Sequence, residues 1–405
     1  MILARVFIPF GLGYFLSYLV RVVNAVLAPD LVRDLGLSAD ELGLLTSAAL
    51  IAFAAFQLPL GILLDRFGPR RTEAALFLFC AAGAFLSATA GGVGQLMTGR
   101  ALIGLGTSAC LMAAFKAYTL WFDAARMPLV NGCHMVAGGL GALAGTVPVE
   151  MALGVTDWRG VFWVFGAMAL GFAGLIYFMV PRRGGTDSVE SSLAEQIDGV
   201  VSIFKSPVFW RVAPVTVTTQ AAFIGIQTLW AGPWMSDVAG MPRDAVADTL
   251  FLVAAAMAAG FFTMGALAER AGRFGVPPIF VALAGMALFI AVQLGLVLQW
   301  VAWTRPLWIA FGFLGTASIV IYAIMPQRFD KRLAGRVLTG MNLMVFSLGF
   351  AVQWGIGVII DQWPAGADGG FHPDGYGAGF AAVAALQALS LAWYALYRKE
   401  TPAKA

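Results

Sequence analysis

The chain has 405 residues, 60% of them hydrophobic and only 12% charged, with a net charge of +3. Its mean hydropathy is +0.84. A soluble globular domain carries about 25% charged residues, so this composition excludes one and predicts a protein embedded in a lipid bilayer. The basic residues flank apolar runs and form no patch, which excludes nucleic acid as a partner.

Twelve apolar runs follow one another, each long enough to cross a hydrocarbon layer of ~30 Å as a helix. They lie at about 6–28, 41–64, 73–93, 96–121, 130–154, 160–180, 209–236, 246–268, 277–299, 305–326, 336–361 and 376–397, with boundaries good to a few residues. The first is too long for a signal-peptide core and reads as a retained helix. One long polar connection, about 181–208, opens with Pro181-Arg182-Arg183-Gly184-Gly185 and predicts a short amphipathic helix at about 193–204. The expected organisation is an N-terminal six-helix bundle (1–180), a cytoplasmic central loop (181–208) and a C-terminal six-helix bundle with a short tail (209–405).

Lysine and arginine set the orientation. Eighteen lie on one side of the predicted spans and four on the other: Arg33, Arg159, Arg243 and Arg305. Arg21, Arg100 and Lys116 fall inside or at the edge of spans. The positive-inside rule then puts both termini and the long loop in the cytoplasm. Short loops fit a bacterial inner membrane. Nothing in the glycine-rich faces demands a dimer, so a monomer is expected.

Cys80, Cys110 and Cys133 all lie in apolar runs, which argues against disulfides. His134 and His372 are the only histidines, and no spacing resembles a metal site. There is no Gly-rich phosphate loop and no nucleophile–base arrangement. No cofactor, no metal and no enzymatic activity are expected.

The chain also repeats itself. Shifted by 204 residues, Gly61, Asp65, Arg66 and Gly68 fall on Gly265, Glu269, Arg270 and Gly272. Pro29, Gly36 and Asp40 fall on Pro233, Gly240 and Asp244. Such a repeat in a membrane protein predicts two similar halves, with whatever is handled lying between them.

The stretch Gly61-Ile62-Leu63-Leu64-Asp65-Arg66-Phe67-Gly68-Pro69-Arg70-Arg71 resembles the signature loop of the major facilitator superfamily. The weaker copy, Gly265 to Arg273, lies where that family repeats it, and Arg100-x3-Gly104-x-Gly106 resembles its second motif. The resemblance covers the whole chain. It implies an all-α membrane protein of twelve helices in two pseudo-symmetric six-helix bundles, working by alternating access. It also implies gating or coupling roles for Gly61, Asp65, Arg66, Gly68, Arg70, Arg100, Glu269 and Arg270. Gly132, Gly141 and Gly145 in span five have spacings similar to the glycine motif of antiporters in the family, but Pro148 does not directly follow Gly145. A small-residue stripe for close helix packing explains the same glycines.

Ionisable groups inside spans are costly and are functional candidates by default. Tyr14, Ser17, Tyr18, Arg21 and Asn24 form a polar stripe at helical spacing on span one. Arg21 is a fixed charge with a planar donor fork that suits carboxylate or phosphate; the competing reading is snorkelling to the interface. Lys116 on span four is a candidate of the same kind, with snorkelling an equal competitor. The second half offers Thr216, Gln220, Gln227, Trp230 and Trp234 on span seven, Ser318 and Tyr322 on span ten, and Asn342 and Gln353 on span eleven. The substrate site is expected from Arg21, Asn24, Tyr14, Ser17, Lys116, Gln227, Trp230, Tyr322 and Asn342.

Every acid except Glu150 reads as falling in a loop or at a span boundary, so Glu150 is the candidate for proton coupling. The expectation is a secondary transporter of a small anionic or zwitterionic solute, such as a carboxylate, amino acid, peptide or organophosphate, with protons as a candidate co-substrate. Drug efflux is the main alternative. A non-transporting membrane sensor and a lipid flippase are further ones.

Overall fold

The computed structural model describes residues 3–123, 126–181, 193–330, 333–364 and 370–397. Arg182 and Arg183 of the central loop, Lys331, Arg332, Arg398, Lys399 and Lys404 lie outside the described residues. Every regular element among those described is helical, with no strand. The helices are α1 (Ile8–Val22), α2 (Asn24–Leu35), α3 (Ala39–Ala88), α4 (Val93–Thr107), α5 (Cys110–Trp121), α6 (Met127–Ala144), α7 (Val147–Leu153), α8 (Trp158–Met179), α9 (Leu193–Phe204) and α10 (Pro207–Gly225). They continue as α11 (Ala231–Asp237), α12 (Arg243–Arg273), α13 (Pro278–Val297), α14 (Thr304–Leu314), α15 (Ile319–Ile324), α16 (Ala334–Ile360) and α17 (Pro373–Leu396).

Eleven helical stretches among the described residues are long and apolar enough to cross a membrane, and one of them, Ala39–Ala88, has 50 residues. A straight helix of that length would reach about 75 Å, far beyond a bilayer. It is two spans joined at Gly68, whose backbone (φ 75°, ψ 164°) is non-helical. That conformation is essentially restricted to glycine. Twelve crossings result among the described residues, and the chain is an integral membrane protein.

Several spans are less regular than hydropathy suggests. Span one breaks at Val23, between α1 and α2. Span five, expected as one helix, splits into α6 and α7 around Gly145 and Thr146. Span seven carries a π-helical turn, Ile226–Trp230, between α10 and α11. The amphipathic helix expected in the central loop is α9.

The chain forms two compact units, Met1–Leu37 with Leu45–Gln196, and Ser38–Leu44 with Ile197–Ala405. In the first unit α6 packs closely on α1. A Cβ at Gly141 would overlap the Phe15 carbonyl, and one at Gly138 the Tyr14 ring. The span-five glycines therefore let two backbones approach, as small-residue stripes do in membrane bundles. Phe10, Phe77, Tyr118, Trp158 and Phe162 fill this unit's interior. In the second unit Trp234, Trp308, Phe311, Phe289 and Phe223 form a chain of ring contacts. Large apolar side chains also face outward, among them Leu78 and Trp163 in the first unit and Leu288 and Leu389 in the second. A spanning helix leaves such faces for lipid tails.

Candidate functional site

In the first unit the polar stripe of α1 lies among aromatic rings. Tyr14 and Ser17 are buried, as is Asn24 at the start of α2. Tyr18 and Arg21 are half-buried. The Arg21 guanidinium lies 5.1 Å from the centre of the Tyr18 ring and 5.4 Å from that of Phe53. Asn24 donates to the Arg21 carbonyl at 3.2 Å, while its own Oδ1 is buried without a partner. Rings at these distances hold a guanidinium by cation–π attraction. Tyr14 stacks on His134 at 4.4 Å and meets Tyr18 edge-on at 5.0 Å. His134 is wholly buried; its Nδ1 shares a hydrogen bond with the Tyr118 hydroxyl at 3.0 Å, and its Nε2 has no partner. This arrangement combines a fixed cation with hydroxyl, amide and imidazole groups, which suits a small polar anion.

Lys116 forms an ion pair with Asp65, each side chain being partly exposed. Two residues expected in separate roles, substrate binding and gating, thus form one pair. Thr72 donates to the Leu63 carbonyl at 3.0 Å across the bend at Gly68. Arg70 donates to the Val180 carbonyl at 3.2 Å and lies 4.9 Å from the Tyr177 ring. Arg66 is exposed, with its guanidinium 5.4 Å from the centre of the Phe67 ring, and Gly61 lies in the first leg of α3. Arg100 is almost wholly buried, with Nε and Nη2 unpartnered and the guanidinium 4.7 Å from the Phe162 ring. Glu150 lies in the first turn of α7, half-buried, where a helix N-terminus favours an acid.

One acid departs from its expected place. Glu73 reads from sequence as a boundary residue, yet it is fully buried, and among the described residues its carboxyl oxygens have no hydrogen-bond partner beyond the weak thiol of Cys110. The sequence signal was slight: Glu73 stands at the first position of the run 73–93, but the helix already starts after the bend at Gly68.

In the second unit the expected polar residues pair with one another. Ser318 donates to Gln220, and Tyr322 donates to Asn342 at 3.1 Å. Gln227 lies in the π turn, buried, donating to the Met257 sulfur at 3.7 Å. Such turns cluster at functional sites. Trp230 is wholly buried and donates its indole N–H to the Gln353 carbonyl at 2.8 Å, so that donor serves packing between α16 and the turn. Two pairs escaped the sequence reading: Gln293 with Gln387, and Thr218 with Ser390.

Outside the spans, Asp34 at the end of α2 accepts from the Trp158 indole at 3.0 Å and from Arg33 at 3.2 Å. The Trp158 hydrogen bond, helped by Arg33 and Arg159, holds its carboxyl below the usual carboxylate range. Asp361, just past α16, accepts from the backbone N–H groups of Ala39 and Asp40 at 3.0 and 2.8 Å. Burial, together with the neighbouring Asp40 carboxyl, pushes its carboxyl up.

The fold defines a class: integral membrane proteins of twelve helices in two six-helix units, each unit carrying polar groups in its interior. The sequence profile of the Major Facilitator Superfamily matches residues 10–353, and the chain belongs to that family. Two curated relatives are transporters by name. "Probable sulfoacetate transporter SauU" of Cupriavidus necator is 32% identical over 167 residues, 41% of this chain and 39% of that protein. "Hexuronate transporter" of Escherichia coli K12 is 26% identical over 252 residues, 58% of each chain. The chain therefore spans less than two thirds of the length of these relatives. Among solved structures, an inward-facing bacterial homolog of the human lysosomal transporter Spinster superposes with a TM-score of 0.78 at 16% identity, covering 97% of this chain and 96% of that one. That likeness establishes the fold.

Proposed function

We propose that the protein is a secondary transporter of small organic anions, moving its solute by alternating access without ATP. The observation that carries this reading is Arg21, a fixed guanidinium among Tyr14, Ser17, Tyr18 and Asn24 on a spanning helix. A charge at such depth is retained for function, and its planar fork matches carboxylate, sulfonate or phosphate. The names of two relatives, a sulfoacetate and a hexuronate transporter, describe solutes of this chemistry. Within the second unit, Gln227, Tyr322 and Asn342 are the polar candidates. The Lys116–Asp65 pair, with Arg66, Gly68 and Arg70, serves the gating side of the cycle. We place the protein as a monomer in a bacterial inner membrane with both termini in the cytoplasm.

A thermal-shift screen of wild type and Arg21→Gln against sulfoacetate, hexuronates, simple carboxylates, organophosphates and cationic drugs tests this. A ligand at 100 times its Kd stabilises the native state by about 2.7 kcal/mol. Losing a charge-assisted hydrogen bond costs about 2 kcal/mol, or roughly 30-fold in affinity. The reading expects stabilisation by an anion and its loss in Arg21→Gln. Stabilisation by cationic drugs alone, indifferent to Arg21, would refute it and favour efflux.

A further inference from the structure

The amphipathic helix α9 has no part in the site described above. From Gly199 to Phe204 one of its faces packs on the start of α16. Val200 and Ile203 are buried, and Ile203 and Phe204 join a core with Phe209, Val337 and Met341. Gly199 permits the approach, because a Cβ there would overlap the Arg336 side chain. A Cβ at Gly340 of α16 would lie 3.4 Å from the Phe204 ring and 3.7 Å from Val200. At ~100° per residue, Ile203, Val200, Phe204, Ile197 and Val201 share one continuous apolar arc of ~160°. Packing on α16 uses the part of the arc from Ile203 to Phe204. Ile197 and Val201, one turn apart at its other edge, are each 40% exposed. Asp198 and Ser202, also exposed, lie on the polar face beyond them.

This open edge lies where spanning helices end. The carbonyl of Phe204, the last residue of α9, accepts from the Trp210 indole, and the two rings are 6.3 Å apart. Trp210 stands in the first turn of α10. Its own carbonyl accepts at 2.7 Å from the indole of Trp393, in the last turn of α17. Both tryptophans are exposed, and Trp393 stacks on Tyr397 at 4.8 Å. Exposed tryptophan and tyrosine at the ends of spans mark the membrane–water interface, where their rings sit at headgroup level. The edge of α9 therefore continues the lipid-facing perimeter of spans seven and twelve. Lys205, exposed and one turn after Val201, still donates its N–H to the Val201 carbonyl at 3.1 Å. It borders the apolar arc, a position from which a lysine lays its stem on apolar surface and holds its ammonium at phosphate level. Arg211 of α10 and Arg336 of α16 bring further positive charge to the two helices that α9 touches, against the single acid Asp198 on its described polar face.

We propose that α9 is an interfacial helix whose Ile197–Val201 edge inserts into the headgroup–acyl boundary of the bilayer beside Trp210 and Trp393, so that the partner of this surface is lipid. A helix with one apolar edge and a charged opposite face lies in the plane of the interface. In water, Ile197, Val201 and the two indoles would form one wet apolar strip, which soluble surfaces seldom keep.

Two measurements on the full chain in nanodiscs of phosphatidylcholine and phosphatidylglycerol test this. The first attaches a nitroxide to single cysteines, Ile197→Cys, Val201→Cys, Asp198→Cys or Ser202→Cys, with Cys133→Ala removing the exposed native thiol. Oxygen concentrates in lipid, and a nickel chelate stays in water. The ratio of oxygen to nickel collisions should be severalfold higher for labels replacing Ile197 and Val201 than for those replacing Asp198 and Ser202. Equal ratios at the four positions, or nickel prevailing at the first two, overturn the proposal in favour of a face open to water. Labels at the first two shielded from both reagents overturn it in favour of a protein partner or a second copy of the chain. The second measurement uses the unaltered chain and a phospholipid carrying a photoreactive diazirine near the head of its acyl chain, with adducts mapped by mass spectrometry. Adducts are expected on Ile197 and Val201 and not on Asp198 and Ser202. Adducts on the spans with none on α9 overturn the proposal.

Discussion

The two copies of the signature loop have the same residue pattern and opposite structural fates. In the first, Asp65 pairs with Lys116 of α5, Arg70 reaches the Val180 carbonyl, and Gly68 takes a backbone conformation closed to other residues. In the second, among the described residues, Glu269 pairs locally with Arg273 at 2.6 Å, with side chains 69% and 75% exposed. Arg270 is exposed on α12, and Gly272, the counterpart of Gly68, is still helical; the left-handed position falls three residues later at Gly275 (φ 78°). A repeat preserves a loop's chemistry in sequence while, among the described residues, the first copy alone is tied to its own bundle. The ends of the first span behave otherwise. Asp34 holds Trp158 at the start of α8, and Asp237 holds Tyr376 at 2.6 Å near the start of α17. These two acids are one residue out of register in the repeat, yet each anchors an aromatic at the head of its unit's sixth span.

The largest expected contrast lies at the glycines. Gly68→Ala should destabilise by about 1–3 kcal/mol, because it forces a side chain into a glycine-only region. Gly272→Ala should be neutral or stabilise by up to about 1 kcal/mol, since it replaces a helical glycine with open space around it. Thermal unfolding in detergent compares the two, and equal effects would erase the distinction between the loops.

The ion pairs come next. A double-mutant cycle on Asp65 and Lys116 should give a coupling of about 1 kcal/mol, against about 0.3–0.5 kcal/mol for Glu269 and Arg273, an exposed pair one helical turn apart. Equal couplings would mean that the first loop is no better anchored than the second.

The smallest effect concerns Asp34. Its folded carboxyl is held below the usual range, so its stabilisation is present above the unfolded value, near pH ~4, and is lost as pH falls through the lower folded value. Asp34→Asn should therefore cost about 1 kcal/mol or less at neutral pH, the exposed part of the carboxylate being screened. The gap between wild type and variant should close in acid. A gap that widens in acid would remove Asp34 from this role.

Much of the architecture was legible because hydropathy and loop charge are properties of local sequence. The twelve crossings, the helix at Leu193–Phe204 and the break between the two signature-loop spans all follow from runs and glycines. The candidate site was less so. The π turn at Ile226–Trp230 changes the phase of span seven, so residues that share a face at regular helical spacing diverge after it. The sequence offers Trp230 as a pocket residue without showing that its indole finds the Gln353 carbonyl 123 residues away. Lys116 reads as a site candidate or a snorkelling side chain, and its pairing with Asp65 on another helix is not visible in its own span. Glu73 was hidden for the same reason: its burial depends on Gly13, a residue without a side chain on another helix. Each of these is a tertiary contact, and periodicity along one helix carries no record of it.

The most direct test of the account is uptake of labelled sulfoacetate and hexuronate into proteoliposomes holding wild type or Arg21→Gln. The account predicts saturable accumulation by wild type of at least one of these anions, reduced by about tenfold or more in Arg21→Gln, in line with the loss of about 2 kcal/mol of anion binding. Equal uptake by both proteins, or transport confined to cations, would contradict it.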